Sequence, residues 1–339
     1  YFAYETGKHP NFLSIVDFNK DTKLDLVTCN ENTVTILLVN GNETFHTYTN
    51  YTVGLHPNSV AVNDFNNDKQ LDLAVTNGGN HDISILFGNG DGTFENQTRF
   101  TVGHNPIYIV ANDFDTDKNV DLIVLNKDDG TISVLLGNGD GTFQKQTRYK
   151  SGSNSTAMTE GDFNDDGKPD LAVINSEDQS NNTIIVFLNN GDGTFQRLVN
   201  YVTGRCPCSI TTGDFNDDNK LDLAVANNGN NDISILFGDG HGKFKNEIKY
   251  STDKEPNWIL SADINDDTEL DLAVIDNGGQ NVALFLGNGN GTFQTPIIYE
   301  VGSNSRSMIV GDFRNTKKLD LAVASFHYNH IAVFLNSCL

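Results

Sequence analysis

Long apolar runs are missing from this chain. No window holds the roughly eighteen consecutive apolar residues of a membrane-spanning helix, which argues against membrane insertion. Cysteine is scarce: four in 339 residues do not make a disulfide framework. Positive charge is short as well. Lys and Arg number 22 against 45 Asp and Glu, giving a formal charge of −23 and an isoelectric point near 4.4. Nucleic acids and anionic membranes are polyanions, so this balance argues against both as partners. No signal peptide stands at Tyr1, and the expectation is a secreted, extracellular protein with its leader removed. Catalytic signatures are lacking too: there is no nucleophile elbow, no His-Glu-x-x-His and no Cys-His arrangement.

The one suggestive cysteine pair is Cys206-Pro207-Cys208, read as two small buried side chains on a loop, with a strained disulfide or a thiol site as the alternative. Cys29 and Cys338 fall at opposite ends of their strands in the repeat register and are not paired. Asn-x-Ser/Thr sequons at Asn42, Asn50, Asn96, Asn154, Asn181 and Asn290 permit glycosylation in a secretory compartment.

What is present in quantity is oxygen at fixed spacing. Asp64, Asn66, Asp68 and Asp72 hold positions 1, 3, 5 and 9 of a nine-residue loop, with Gln70 at position 7 offering its backbone carbonyl. Oxygen ligands at alternate positions suit a hard cation that accepts six to eight of them, calcium before other metals. An apolar run, Leu71 to Val75, follows directly, so the loop joins two strands. An EF-hand would need helical periodicity on both sides and a glutamate at position 12.

The loop recurs at Asp17, Asp64, Asp113, Asp162, Asp214, Asp263 and Asp312, at intervals of 47, 49, 49, 52, 49 and 49 by subtraction of those numbers. The same ligand positions are Asp17, Asn19, Asp21, Lys23 and Asp25 in the first copy, and Asp113, Asp115, Asp117, Asn119 and Asp121 in the third. They are Asp162, Asn164, Asp166, Lys168 and Asp170 in the fourth, and Asp214, Asn216, Asp218, Lys220 and Asp222 in the fifth. The sixth has Asp263, Asn265, Asp267, Glu269 and Asp271. The seventh keeps Asp312 and Asp320 but has Arg314 and Thr316 at positions 3 and 5, so it is expected to be metal-free, with Arg314 supplying the charge. The expectation is about six structural Ca2+ ions. Six dications would bring −23 to about −11, which ties much of the acidity to metal.

Repeats of roughly 40–50 residues holding several short strands are the mark of a propeller. In the second copy the strands read Ser59–Val62 (A), Leu71–Val75 (B) and Ile83–Phe87 (C), with Phe94 opening D. The Gly-rich turn Gly88-Asn89-Gly90-Asp91-Gly92-Thr93 precedes no helical pattern and no Lys-Ser/Thr, so it is a C–D hairpin turn rather than a phosphate loop. The last copy stops after a strand C at Phe334, while Tyr1–Gly7 matches the strand D segment that ends at Gly54. The first residues are therefore expected to complete the last blade and remove an open edge. An all-β, seven-bladed β-propeller of four-stranded blades follows, one domain over 1–339.

Asp-Phe-Asn-x-Asp-x-x-x-Asp-Leu-Ala-Val together with Gly-Asn-Gly-Asp-Gly-Thr-Phe resembles the FG-GAP/VCBS repeat, the unit of the integrin α-subunit propeller, in seven copies over the whole chain. The resemblance implies cation loops between strands A and B on the lower face. It also implies ligand docking on the D–A and B–C loops of the upper face. Fungal lectins and secreted carbohydrate-active or phospholipase proteins use similar repeats, so the scaffold leaves the ligand open.

The reading is a non-catalytic, calcium-stabilised recognition or adhesion module for an extracellular protein or glycan. Alternatives are a lectin with sugar sites at blade junctions, a secreted carbohydrate-active or hydrolytic enzyme on a propeller scaffold, and a structural calcium buffer. Candidate contacts on the D–A loops are Tyr108, Arg205, Trp258 and Arg306. Trp258 is suited to stack on a sugar face or simply to pack a blade; the arginines suit a carboxylate. On the last B–C loop, Phe326, His327 and Tyr328 form the most distinctive stretch of its class. The enzyme alternative would have His9, His56 and His104 converge on a metal, against their plainer reading as solvent-facing turn residues. Oligomeric state cannot be read from these residues.

Overall fold

The computed structural model describes residues 2–39, 45–176, 182–302 and 304–336. The sequons at Asn42 and Asn181, together with Tyr1, Ser303 and Cys338, lie outside the described residues. Those residues form seven four-stranded antiparallel sheets and no helix, the blade architecture of a seven-bladed β-propeller. Blades one to six run A-B-C-D in chain order. In blade two the strands are Pro57–Asn63, Asp72–Asn77, Asp82–Leu86 and Thr98–Thr101.

Burial follows position in the blade. Strand B is buried along its whole length in blades two to six, which is why it reads Leu-Ala-Val or similar without polar alternation. Strand D is mostly exposed and carries the charged residues, as in Thr98–Thr101. Expected strand D boundaries are corrected in three blades. Phe94, Phe143 and Phe293 make isolated bridges to Gly88, Gly137 and Gly287, and strand D itself starts later, at Thr98, Thr147 and Ile297. In blades one, four and five it runs unbroken from Phe45, Phe195 and Phe244, with a register shift against strand C. An extra residue is thus absorbed as a bulge in one group and as a break in the other.

The chain falls into two compact units. Tyr1–Lys150 with Arg306–Leu339 carries blades one, two, three and seven; Ser151–Ser305 carries blades four, five and six. In the first unit, Val27, Val34 and Ile36 of blade one pack with Val60, Leu73 and Val75 of blade two. In the second, Ala172 and Ile174 of blade four meet Ile210, Leu223 and Val225 of blade five. Each buried Val, Leu or Ile side chain among them contributes about 1.5–3 kcal/mol.

The last blade has the strand exchange expected from the repeat register. Phe2–Glu5 pairs antiparallel with His330–Phe334, from Phe2 opposite Val333 to Glu5 opposite His330. The final sheet therefore has its fourth strand from the opposite end of the chain, and the strand C edge is paired.

Neighbouring blades within a unit are coupled through the Gly-rich turn. In blade three, Gly141 N donates to the carbonyl of Phe65, position 2 of the blade-two cation loop, at 2.9 Å. A Cβ at Gly141, whose φ is +81°, would collide with the Phe87 ring. Only glycine meets both the close approach and the left-handed backbone. The turn closes on itself: Asn138 Nδ2 donates to Thr142 Oγ1, and Thr142 N donates to Asp140 Oδ1. Its hydrogen-bonding groups serve the fold, as the hairpin reading requires.

Candidate functional site: cation loops and an aromatic patch

Each cation loop contains two left-handed residues, at positions 4 and 6: Asn67 (φ 61°) and Lys69 (φ 67°) in the second copy, Thr116 (φ 65°) and Lys118 (φ 72°) in the third. These kinks fold the chain around the first aspartate. Asp64 Oδ1 accepts from Asp68 N at 3.1 Å and Oδ2 from Lys69 N at 2.7 Å, while Asn66 Oδ1 accepts from Asp68 N at 3.0 Å. The side-chain oxygens of positions 1, 3 and 5 thus accept from the loop's own backbone, Asp68 Oδ1 taking Gln70 N at 2.7 Å.

The third loop is the most acidic. One carboxylate oxygen from each of Asp113, Asp115 and Asp117 lies within 4.8 Å of the other two. Asp113 Oδ1 is buried and has no hydrogen-bond partner. Burial and the neighbouring charges of Asp117 and Asp113 push the Asp115 carboxyl up. Three converging carboxylates and a buried oxygen without a donor fit a hard cation and are costly without one. Five other loops carry Asn, a neutral oxygen donor, at position 3 or share this acidic frame with one carboxylate fewer, as Asn66 does.

The ninth-position aspartates are fully buried and already engaged. Asp72 Oδ2 accepts from Phe65 N at 2.9 Å, and Oδ1 from Gly88 N at 2.8 Å. Asp121 does the same with Phe114 and Gly137, and Asp222 with Phe215 and Gly238. These carboxylates brace the A–B loop to the C–D turn of their own blade. Burial pushes Asp25, Asp72, Asp121, Asp170 and Asp222 up to about 6, against the lowering effect of the two N–H donors. The brace is a role that spacing alone did not reveal. The Leu-Asp-Leu context was its signal, an acidic residue in a strand buried on both sides.

In the seventh copy a guanidinium stands in the loop. Arg314 Nη2 donates to Asp320 Oδ1 at 2.8 Å and to the Asn336 carbonyl at 2.9 Å, and Nε donates to Asp320 Oδ2 at 3.1 Å. The loop keeps its two left-handed residues, Asn315 and Lys317.

A second cluster forms in the first unit, where the B–C loop of blade seven meets the loop entering blade one. The His9 ring stacks on Phe326 at 4.7 Å with an interplanar angle of 17°. Arg306 Cζ lies 5.0 Å from the Phe326 ring centroid. His327 stands edge-on to Phe326 at 5.5 Å, and Tyr328, 60% exposed, tilts over His330 at 5.8 Å. His9 N donates to Asn329 Oδ1 at 2.9 Å and fixes the two loops together. Arg306, Phe326, His327 and Tyr328 are thus brought together. His9 joins them because it occupies the left-handed position of its loop, φ 58°.

The remaining candidates lie elsewhere. Tyr108 is half-buried in strand A of blade three, edge-on to Phe12 at 5.9 Å. In the second unit Trp258 is a half-buried strand A residue opposite Ile275, and Arg205 is exposed on its loop. The three histidines form no common site: His104 Nδ1 lies 2.7 Å from Asp129 and its ring is edge-on to His81, while His9 belongs to the patch. The cysteine reading is corrected as well. Cys206 is exposed, held at φ 50° on the loop, and only Cys208 is partly buried, its Sγ donating to the Pro256 carbonyl at 3.1 Å. Both are free thiols.

A family model described as FG-GAP-like repeat matches six overlapping stretches, 17–75, 64–124, 113–173, 162–225, 214–274 and 263–323. No curated protein matches at the sequence level. Among solved structures, BBS1N in complex with ARL6DN superposes with a TM-score of 0.70 at 11% identity, over 100% of this chain and 97% of that one. An Agrocybe aegerita lectin that recognises non-reducing terminal N-acetylglucosamine gives 0.62 at 15% identity, over 98% and 86%. Virginiamycin B lyase from Staphylococcus aureus, with quinupristin, gives 0.64 at 15%, over 98% and 99%. At these identities the likeness is one of fold.

Proposed function

Because the chain belongs to the FG-GAP-like repeat family, we propose that it is an extracellular, calcium-stabilised recognition module that binds a protein or glycan and performs no catalysis. The observation that carries the reading is the stack of His9, Phe326 and Arg306 beside the exposed Tyr328. Aromatic faces offer stacking surface for a sugar ring or a protein side chain, and a guanidinium offers paired donors to a carboxylate. In a chain with twice as many acidic as basic residues, this island of arginine and histidines stands apart. It favours a ligand with a flat apolar face and an anionic group. The proteins of like fold include a glycan binder and a protein complex, so both ligand classes are compatible with the scaffold.

Calcium in this reading is structural. Positions 1, 3 and 5 of six loops, with the position 7 carbonyl and the ninth carboxylate, would hold it. The ion would neutralise clustered charge and hold loop residue 2, on which the next blade's turn docks within each unit. The test is a glycan array and an extracellular-matrix pull-down with the parent protein and with Phe326→Ala and Tyr328→Ala. Binding that the two substitutions reduce at least about tenfold, the scale of a lost interface anchor, supports the reading; binding unchanged by both, or none to either ligand class, refutes it.

A further inference from the structure

Blade six departs from its siblings at one cluster, away from the cation loops. In blade two the strand B terminal residue Asn77 is satisfied on both sides. Its Oδ1 accepts from Gly54 N at 2.9 Å, and Nδ2 donates to Ser84 Oγ and Asp82 Oδ1. Ser84 Oγ passes the chain on to Gln97 Oε1 at 2.6 Å. Blades three and five repeat the relay through Asn126, Ser133 and Gln146, and through Asn227, Ser234 and Glu247.

In blade six the corresponding residues are Asp276 for Asn77, Asp253 for Gly54, Asn281 for Asp82, Ala283 for Ser84 and Pro296 for Gln97. The Asn77 amide and Ser84 hydroxyl of the relay have no counterpart, and the single carboxylate of blade two, Asp82, gives way to two, Asp253 and Asp276. Asp253 N donates to Asp276 Oδ2 at 3.1 Å, and Asn281 Nδ2 donates to Asp253 Oδ2 at 2.9 Å. Asp276 Oδ1 and Asn281 Oδ1 are buried acceptor oxygens without a well-aligned donor, and the Thr252 hydroxyl lies against the Asp276 carboxylate. Asp276 is 0% and Asn281 4% exposed, and the two sit directly opposite one another on strands B and C. No lysine or arginine pairs with either aspartate among the described residues. Gly279 packs so close that a Cβ there would strike Asp253 Oδ2, which closes the cluster on one side. Asp253 itself is exposed, so the cluster opens to solvent through it.

We propose that Asp253, Asp276 and Asn281, with Thr252 Oγ1, form a further hard-cation site in blade six, separate from the A–B loops. Two carboxylates, an amide oxygen and a hydroxyl are an oxygen-only set of the kind calcium takes. Two buried acceptor oxygens, Asp276 Oδ1 and Asn281 Oδ1, cost free energy unless positive charge meets them. The changes at Asn77 and Ser84 remove donors, and the Gly-to-Asp change at position 253 adds a carboxylate beside the one at Asp276. A substitution that merely weakened the relay would not add charge.

The test counts ions. Protein stripped with EDTA is titrated with Ca2+ alone, and bound ions are counted by native mass spectrometry. The triple variant Asp253→Gly, Asp276→Asn, Ala283→Ser restores three of the five blade-two residues, the amide and hydroxyl donors among them, so it keeps a folded blade while removing the carboxylates. We expect it to bind one ion fewer than the parent, with an unchanged circular dichroism spectrum. Asp115→Ala, in the third A–B loop, is expected to lose a different ion and to leave the blade-six site filled, seen as an anomalous peak between Asp253 and Asp276 in crystals soaked with Mn2+. An equal ion count in the parent and the triple variant overturns the proposal. So does the absence of that peak from the parent, which would leave a proton on Asp276 as the neutralising charge. Either result leaves the loop sites of the proposed function untouched.

Discussion

Arg314 meets Asp320 in a two-point pairing, Nη2 to Oδ1 at 2.8 Å and Nε to Oδ2 at 3.1 Å, with the Asp320 side chain fully buried. In the other six copies position 3 is an oxygen donor, and position 9 accepts only backbone N–H groups. In the seventh blade a tethered guanidinium therefore stands where the proposed function places a diffusible cation in the other six. Removing one partner of a buried pair leaves the other charge stranded, at a cost of about 3–5 kcal/mol. Arg314→Ala is expected to lower the unfolding free energy by about that amount in urea melts, at any calcium concentration. Arg314→Lys should recover little, because an ammonium cannot form the fork. A variant as stable as the parent would show that the pair contributes nothing.

The ninth-position brace gives a second expectation. Asp72→Ala would strand the N–H groups of Phe65 and Gly88 in the core. Each unmet buried donor costs about 1–3 kcal/mol, so the loss should be clear in an equilibrium melt. Asp72→Asn keeps one acceptor oxygen and should lose less. Equal losses from Asn and Ala would mean that charge, rather than hydrogen bonding, is what the position supplies.

Metal removal tests the loops directly. EDTA should lower the melting temperature, and calcium should restore it further than magnesium, whose octahedral demand the loop fits poorly. A site saturated a hundredfold above its Kd adds about 2.7 kcal/mol, so several sites acting together give a large shift. Asp166→Ala should remove part of that shift and leave ligand preference unaltered. If the melt does not respond to chelation, the loops are held by their own hydrogen bonds alone.

Thiol reactivity separates the cysteines. Burial pushes the Cys208 thiol up to about 12 and Cys29 higher still, so neither offers thiolate at ordinary pH. Cys206 is exposed. Iodoacetamide on the folded protein should modify Cys206 and spare Cys29 and Cys208, with peptide mass spectrometry as the readout. Labelling of Cys29 at a comparable rate would mean that blade one opens readily.

Much of this was legible before any coordinates. The recurrence of Asp64-x-Asn66-x-Asp68 and its six relatives, with apolar runs on either side, is enough for blade number, loop class and the exchanged N-terminal strand. Each of those depends on local periodicity and on the match between the two chain ends, which spacing records directly. The dual use of Asp72 was not legible, because its second donor, Gly88, arrives from sixteen residues away through a turn. Neither was the union of His9 with Phe326, which are brought together only because the first strand completes the last blade. The donor-poor cluster at Asp276 belongs in the same group. A change from Asn to Asp looks conservative in a list of repeats, and becomes a site only when packing buries it and removes the partners its siblings keep. Local pattern carries what is repeated in every blade; packing between distant segments carries what differs.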